Sequence, residues 1–109
     1  MRYSTVGDFP SYDRIEVADM GNKNYEFAIA IHELVESRLC EEHGITTDQI
    51  DLFDMGWKGD GEPGDDPSAP YHKEHVAATE VEIAVCKALG IDFGVYDRFL
   101  TNFNVKVKE

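Results

Sequence analysis

The most apolar stretch of the chain is YEFAIAIHELVESRLCEE, residues 25–42. Its spacing predicts a helix capped by Asn24 and stopped by Gly44. Phe27, Ala28, Ile29, Ala30 and Ile31 cover nearly the whole circumference, the pattern of a helix buried in a core. Upstream, Met1 to Pro10 is mixed and opens with a short strand. Arg14-Ile15-Glu16-Val17 alternates with the period of a half-buried strand, and Gly21-Asn22 breaks it. Thr46-Thr47-Asp48 is placed to cap a short second helix through Ile50, Leu52 and Phe53. Residues 56–67 hold four Gly and two Pro, which exclude regular structure. The resulting Gly/Pro/Asp-rich loop, 56–70, is long for a small domain, a feature usually tied to function or disorder.

A third helix is expected from Ala69 or Pro70 to Leu89, with Gly90 as its stop. Beyond it, Phe93, Tyr96, Phe99 and Leu100 recur at helical spacing. Phe103-Asn104-Val105-Lys106-Val107 then alternates like a closing edge strand. These elements predict a single helix-dominated α+β domain over residues 1–109, with about three main helices and a few short strands.

Composition narrows the function classes. The 109 residues suit one domain, and a 42% hydrophobic content argues against wholesale disorder. Twenty-two acids against 10 Lys and Arg give a net charge of −12. That charge opposes binding to nucleic acid, whose phosphates demand a basic footprint, and to anionic membranes. No apolar run is long enough for a signal peptide near the start or a membrane span later, so a cytoplasmic location is expected. Cys40 and Cys86 form no C-x-x-C pair and read as small hydrophobes.

The candidate chemistry lies in His32-Glu33-Leu34-Val35-Glu36, an H-E-x-x-E motif inside the most apolar helix. Residues i and i+4 stand one above the other, so His32 and Glu36 can offer a nitrogen and an oxygen to one metal ion. A charged Glu36 on a stripe with Tyr25, Ala28, Ile29, Val35 and Leu39 is costly to bury without a partner. Metal coordination would remove that cost. Glu33 lies on a less apolar stripe and could face water.

The third helix opens with Tyr71-His72-Lys73-Glu74-His75. The row His75, Ala78, Glu82, Val85 and Leu89 is core-like yet holds a His and a Glu. The row Lys73, Glu80 and Lys87 is an ordinary solvated face, which selects Glu82 over Glu80. If the two stripes face each other, His32, Glu36 and His75 supply three ligands and leave a position open, as in catalytic zinc sites. His72 or Glu82 would then be a fourth ligand or orient one, and a dinuclear site using all of them is a further arrangement. Zinc or another divalent transition metal suits this donor set.

Simpler readings accompany the rest. His43 is a C-terminal helix residue favoured by the helix dipole. Trp57 pins the long loop, or else lines a cleft with Tyr71. Asp60, Glu62, Asp65 and Asp66 lack the calcium-loop spacing and read as a solvated loop.

The H-E-x-x-E helix resembles the active-site helix of zincin-type metallopeptidases. That resemblance implies zinc ligation by His32 and Glu36, with Glu33 as the general base that activates the attacking water. Glu36 stands where most zincins have a second His, and a carboxylate makes zinc a poorer Lewis acid. The segment Ala30 to Glu36, with Leu39-Cys40 and Glu62 to His75, also resembles a small uncharacterised protein family of phage and bacterial genomes. Glu33-x-x-Glu36 is similar, too, to the acidic helix of all-α nucleotide pyrophosphohydrolases, although their later E-x-x-D motif is missing. Three functions are thus expected in order. The first is a metal-dependent hydrolase acting on a peptide, amide or ester. The second is a non-enzymatic phage or bacterial accessory protein that acts through a protein partner and carries a structural metal site or buried polar cluster. The third is a pyrophosphohydrolase-like enzyme.

Overall fold

A computed structural model of the chain describes residues 6–59 and 61–108, with the backbone alone for 104–108. Among these, strands β1 (Gly7–Ser11) and β2 (Arg14–Val17) precede helices α1 (Lys23–Glu42), α2 (Thr47–Gly56), α3 (His72–Ala88) and α4 (Phe93–Lys108). The domain is therefore a helix-dominated α+β structure with four helices rather than three. The two strands pair antiparallel, Gly7 opposite Val17 and Asp8 opposite Glu16.

Local chemistry explains the helix limits. Asn22, not Asn24, caps α1, because its side-chain oxygen accepts from the backbone N–H of both Asn24 and Tyr25 at 3.0 Å. Thr46 and Gln49 form a reciprocal capping box at the start of α2. Helices α1 and α3 end alike. Ile45 N–H donates to the Cys40 carbonyl and Ile91 N–H to that of Cys86, at 2.9 and 2.8 Å. Gly44 and Gly90 sit at φ of +72° and +73°, the left-handed position such endings require.

Three expectations change. Helix α3 begins at His72, after Pro70, because residues 66–72 are spent on two turns, Ala69 N–H to Asp66 and His72 N–H to Ala69. The long loop holds one regular piece, a 3-10 turn at Pro63–Asp65. The alternating segment 103–107 continues α4 instead of forming a strand. Phe93, Tyr96, Leu100 and Phe103 all pack on one cluster, and this helical period overrides a five-residue alternation.

The core has two parts. Val6, Ala28, Ile29, Cys86 and Tyr96 form one cluster. Phe9, Cys40, Ile50, Ala69 and Tyr71 form the other. The first joins the start of α1 to the end of α3, and the second joins the end of α1 to the residues just before α3. The two helices thus run antiparallel. Full burial of a side chain such as Ile29 contributes about 1.5–3 kcal/mol. Helix α1 is not buried all round, since Phe27 and Leu34 are half exposed. The hairpin packs on α1, and Gly7 makes the close approach possible. A Cβ there would lie 2.5 Å from Ile29 Cγ2 and 3.0 Å from Glu33 Cγ.

Candidate metal centre

Between the two apolar clusters lies a belt of ionisable side chains. His32 and Glu36 come from the middle of α1, and His75 and Glu82 from α3; all four are buried. The antiparallel pairing sets His32 against Glu82 and Glu36 against His75. The pattern follows from the sequence, because in each helix the polar pair interrupts an otherwise apolar row.

Glu36 is the hub. Its Oε2 lies 3.1 Å from His32 Nε2, and its Oε1 lies 3.3 Å from His75 Nδ1. The outer nitrogens also meet carboxylates. His32 Nδ1 is 2.7 Å from Glu82 Oε1, and His75 Nε2 is 3.0 Å from Asp65 Oδ1 and 3.7 Å from Glu62 Oε2. The His32–Glu82 contact is short but off the axis of a good hydrogen bond. The other Glu82 oxygen accepts from the Tyr96 hydroxyl. The two imidazoles meet edge to face, with centroids 4.9 Å apart.

Protonation follows this geometry. Burial opposes a charge on His32, but Glu36 and Glu82 outweigh it and push its pKa up to about 11. Burial also opposes charge on His75, and Glu36 again prevails, raising that pKa. Glu36 itself is lowered: its two imidazole partners overcome the burial that would raise it. Glu33 is half-buried beside the hairpin. Burial, followed by repulsion from Glu36, raises its pKa well above the carboxylate range, and His32 offsets only part of that.

One nitrogen or oxygen from each of His32, Glu36 and His75 can be chosen so that all lie within 4.8 Å of one another. A single ion would be reached by all three. His32, His75 and Glu33 also line a cavity of about 90 Å³ with Glu62, Asp65 and Glu82. A further ligand beside the two rings would have room there.

The structure distributes the expected residues unevenly. His32, Glu36, His75 and Glu82 come together. Glu33 is half-buried and borders the same cavity. His72 turns away, with Nδ1 on the Gly64 carbonyl at 2.9 Å. Glu80 is exposed. His43 ends α1 but also pairs with buried Glu74. Trp57 stacks on Phe53, with ring centroids 6.0 Å apart, and it does not line the cavity, and neither does Tyr71.

Asp65 and Glu62 lie on a solvated loop, as expected, yet both also face His75. The 3-10 turn carries Asp65 onto His75, although both acidic side chains stay largely open to solvent. Pro63 at the start of that turn was the available signal. Asp66 instead caps a local turn at Ser68, and Asp60 lies outside the described residues.

Gly64 controls how closely the loop approaches. A Cβ on it would lie 2.6 Å from His75 Cγ and 2.9 Å from Tyr71 Cε2. Gly64→Ala is therefore expected to push the loop off His75 and cost about 1–3 kcal/mol, read as a lowered denaturation midpoint. An unchanged midpoint would contradict this packing.

Comparison with known protein families, curated proteins and solved structures finds no match to this chain. No helix among the described residues is long and apolar enough to cross a membrane. The functional reading therefore rests on the side-chain cluster itself.

Proposed function

We propose that this protein binds one divalent transition metal, such as zinc, through His32, Glu36 and His75. The observation that carries this reading is the doubly engaged Glu36. Two imidazoles from two helices turn toward one buried carboxylate, while each outer nitrogen faces a second carboxylate. Histidine ligands are commonly held this way, with one nitrogen toward the ion and the other on an acid that fixes the ring. Glu82 and Asp65 fill that outer role.

Charge supports the exchange of protons for metal. Two imidazoliums balance Glu36 and Glu82 in the buried belt. A divalent ion with two neutral imidazoles gives the same balance, so binding would release about two protons without leaving net buried charge. Nitrogen and carboxylate donors suit zinc and its neighbours better than magnesium. This weighs against the magnesium-dependent pyrophosphohydrolase reading.

The catalytic extension is a metal-dependent hydrolase for a peptide, amide or ester. Glu33 borders the cavity, and its raised pKa favours proton uptake; a nearby cation would lower that pKa. As general base it would take a proton from the attacking water, and the metal would polarise the substrate carbonyl. Glu33→Gln is expected to keep metal and lose hydrolysis by about 100-fold or more, measured against a panel of chromogenic peptide, amide and ester substrates. Full activity in the variant would remove Glu33 from the chemistry.

A second reading has its own observation. The four buried groups already balance as two ion pairs, so they can specify the α1–α3 packing without catalysis. A non-enzymatic accessory protein acting through a protein partner fits that arrangement. Metal that is tightly held but supports no hydrolysis across the panel would favour it.

A further inference from the structure

We propose that Tyr96 is a positioning residue of the metal centre, holding Glu82 from α4 so that Glu82 fixes the ring of His32. This inference rests on the metal-binding reading above. Tyr96 is completely buried. If it served packing alone, the hydroxyl would be an uncompensated polar group in the core. Its one O–H donor instead goes to Glu82 Oε2. Glu82 then presents its other oxygen, Oε1, 2.7 Å from His32 Nδ1.

The tyrosine ring is itself held. Tyr25 packs edge-on against it with centroids 5.0 Å apart, and Phe93 lies at 5.6 Å. Glu82 is thus fixed by a rigid donor on one side and meets His32 on the other. The His32 contact is close but misaligned.

The relay also ties α4 to the site. Phe93, Asp97 and Leu100 of the same helix line the cavity. If docking of α4 strengthens metal binding through Tyr96, metal binding must strengthen docking of α4 to the same extent. No sequence motif announces this link, because Tyr96 reads as one more apolar position in a helical row.

The test uses the full chain as wild type, Tyr96→Phe, Glu82→Gln and the double variant. Each is titrated with zinc and with cobalt(II), whose visible spectrum reports ligand geometry. Removing an outer partner of a histidine ligand typically costs 10–100-fold in affinity. Glu82→Gln should fall in that range. Tyr96→Phe, one bond further out, should lose about 3- to 10-fold and shift the cobalt spectrum. The double variant should lose no more than Glu82→Gln alone, because both changes break one relay.

Wild-type affinity and spectrum in Tyr96→Phe, or fully additive losses, would overturn the proposal. A metal-free readout separates this proposal from the metal reading. The ring ¹⁵N signals of His32 should move in Tyr96→Phe without any ion present. If wild type takes up no metal, the metal reading fails and these signals alone decide the Tyr96–Glu82–His32 relay. Unchanged signals would overturn it.

Discussion

Replacing Glu36 by alanine is expected to abolish metal binding and to destabilise the fold by about 3–5 kcal/mol. The size of the effect follows from the hub position. Glu36 is buried and accepts from His32 and His75 at once. Its loss strands two imidazoles that both lie in the interior. Each ring then keeps only its outer carboxylate, Glu82 or Asp65, and the nitrogen that faced Glu36 is left in the interior without a partner. Glu36→Gln separates the two parts of the effect. Its amide oxygen can still accept one hydrogen bond, so much of the packing survives, but the anionic ligand is gone. Denaturant titration should rank wild type above Gln and Gln above Ala, and neither variant should take up zinc. An alanine variant as stable as wild type would show that the buried network contributes nothing to the fold.

Metal affinity is expected to rise steeply with pH, by up to about 100-fold per unit while both rings hold their protons and by about tenfold per unit where only His32 does. The sign comes from the histidines. An imidazole must be neutral at the nitrogen that binds metal. His32 is held protonated up to about 11 by Glu36 and Glu82, against the opposing effect of burial. His75 is shifted the same way. Protons therefore compete with the ion at both rings, and each displaced proton contributes about tenfold per pH unit. Calorimetry in buffers of different ionisation enthalpy should count about two protons released per ion. Release of none would contradict the imidazolium pair.

Stability of the metal-free protein has its own pH window. The His32 contribution is complete below the ordinary value of 6.5 and fades as pH climbs toward about 11. The Glu36 contribution is present above the ordinary value of 4.5 and is lost as pH falls through its lowered folded value. These two groups together stabilise the metal-free protein most between those two ordinary values. Metal should move the optimum upward, where the rings bind as neutral ligands.

Much of this organisation is legible from local pattern. Gly44 and Gly90 mark helix ends because only glycine readily adopts the left-handed turn there. His32 and Glu36 announce themselves as polar residues on an apolar row, and the same logic separates buried Glu82 from exposed Glu80. Other features depend on tertiary structure. Phe27 reads as core in the sequence, yet it is half exposed on α1. Segment 103–107 alternates over five residues, but docking of α4 on the first apolar cluster sets a helical period. Asp65 reaches His75 only because Gly64 lets the loop lie against the imidazole. Such a contact leaves no periodic trace in the sequence.

Metal content, measured on purified wild type beside His32→Ala and His75→Ala after equilibration with zinc, is the most direct test. One ion per chain in wild type and loss from both variants is the expected result, because the two helices supply ligands to one site. A wild-type protein that takes up no metal, or retention of the ion by both variants, would contradict a shared centre built on His32, Glu36 and His75.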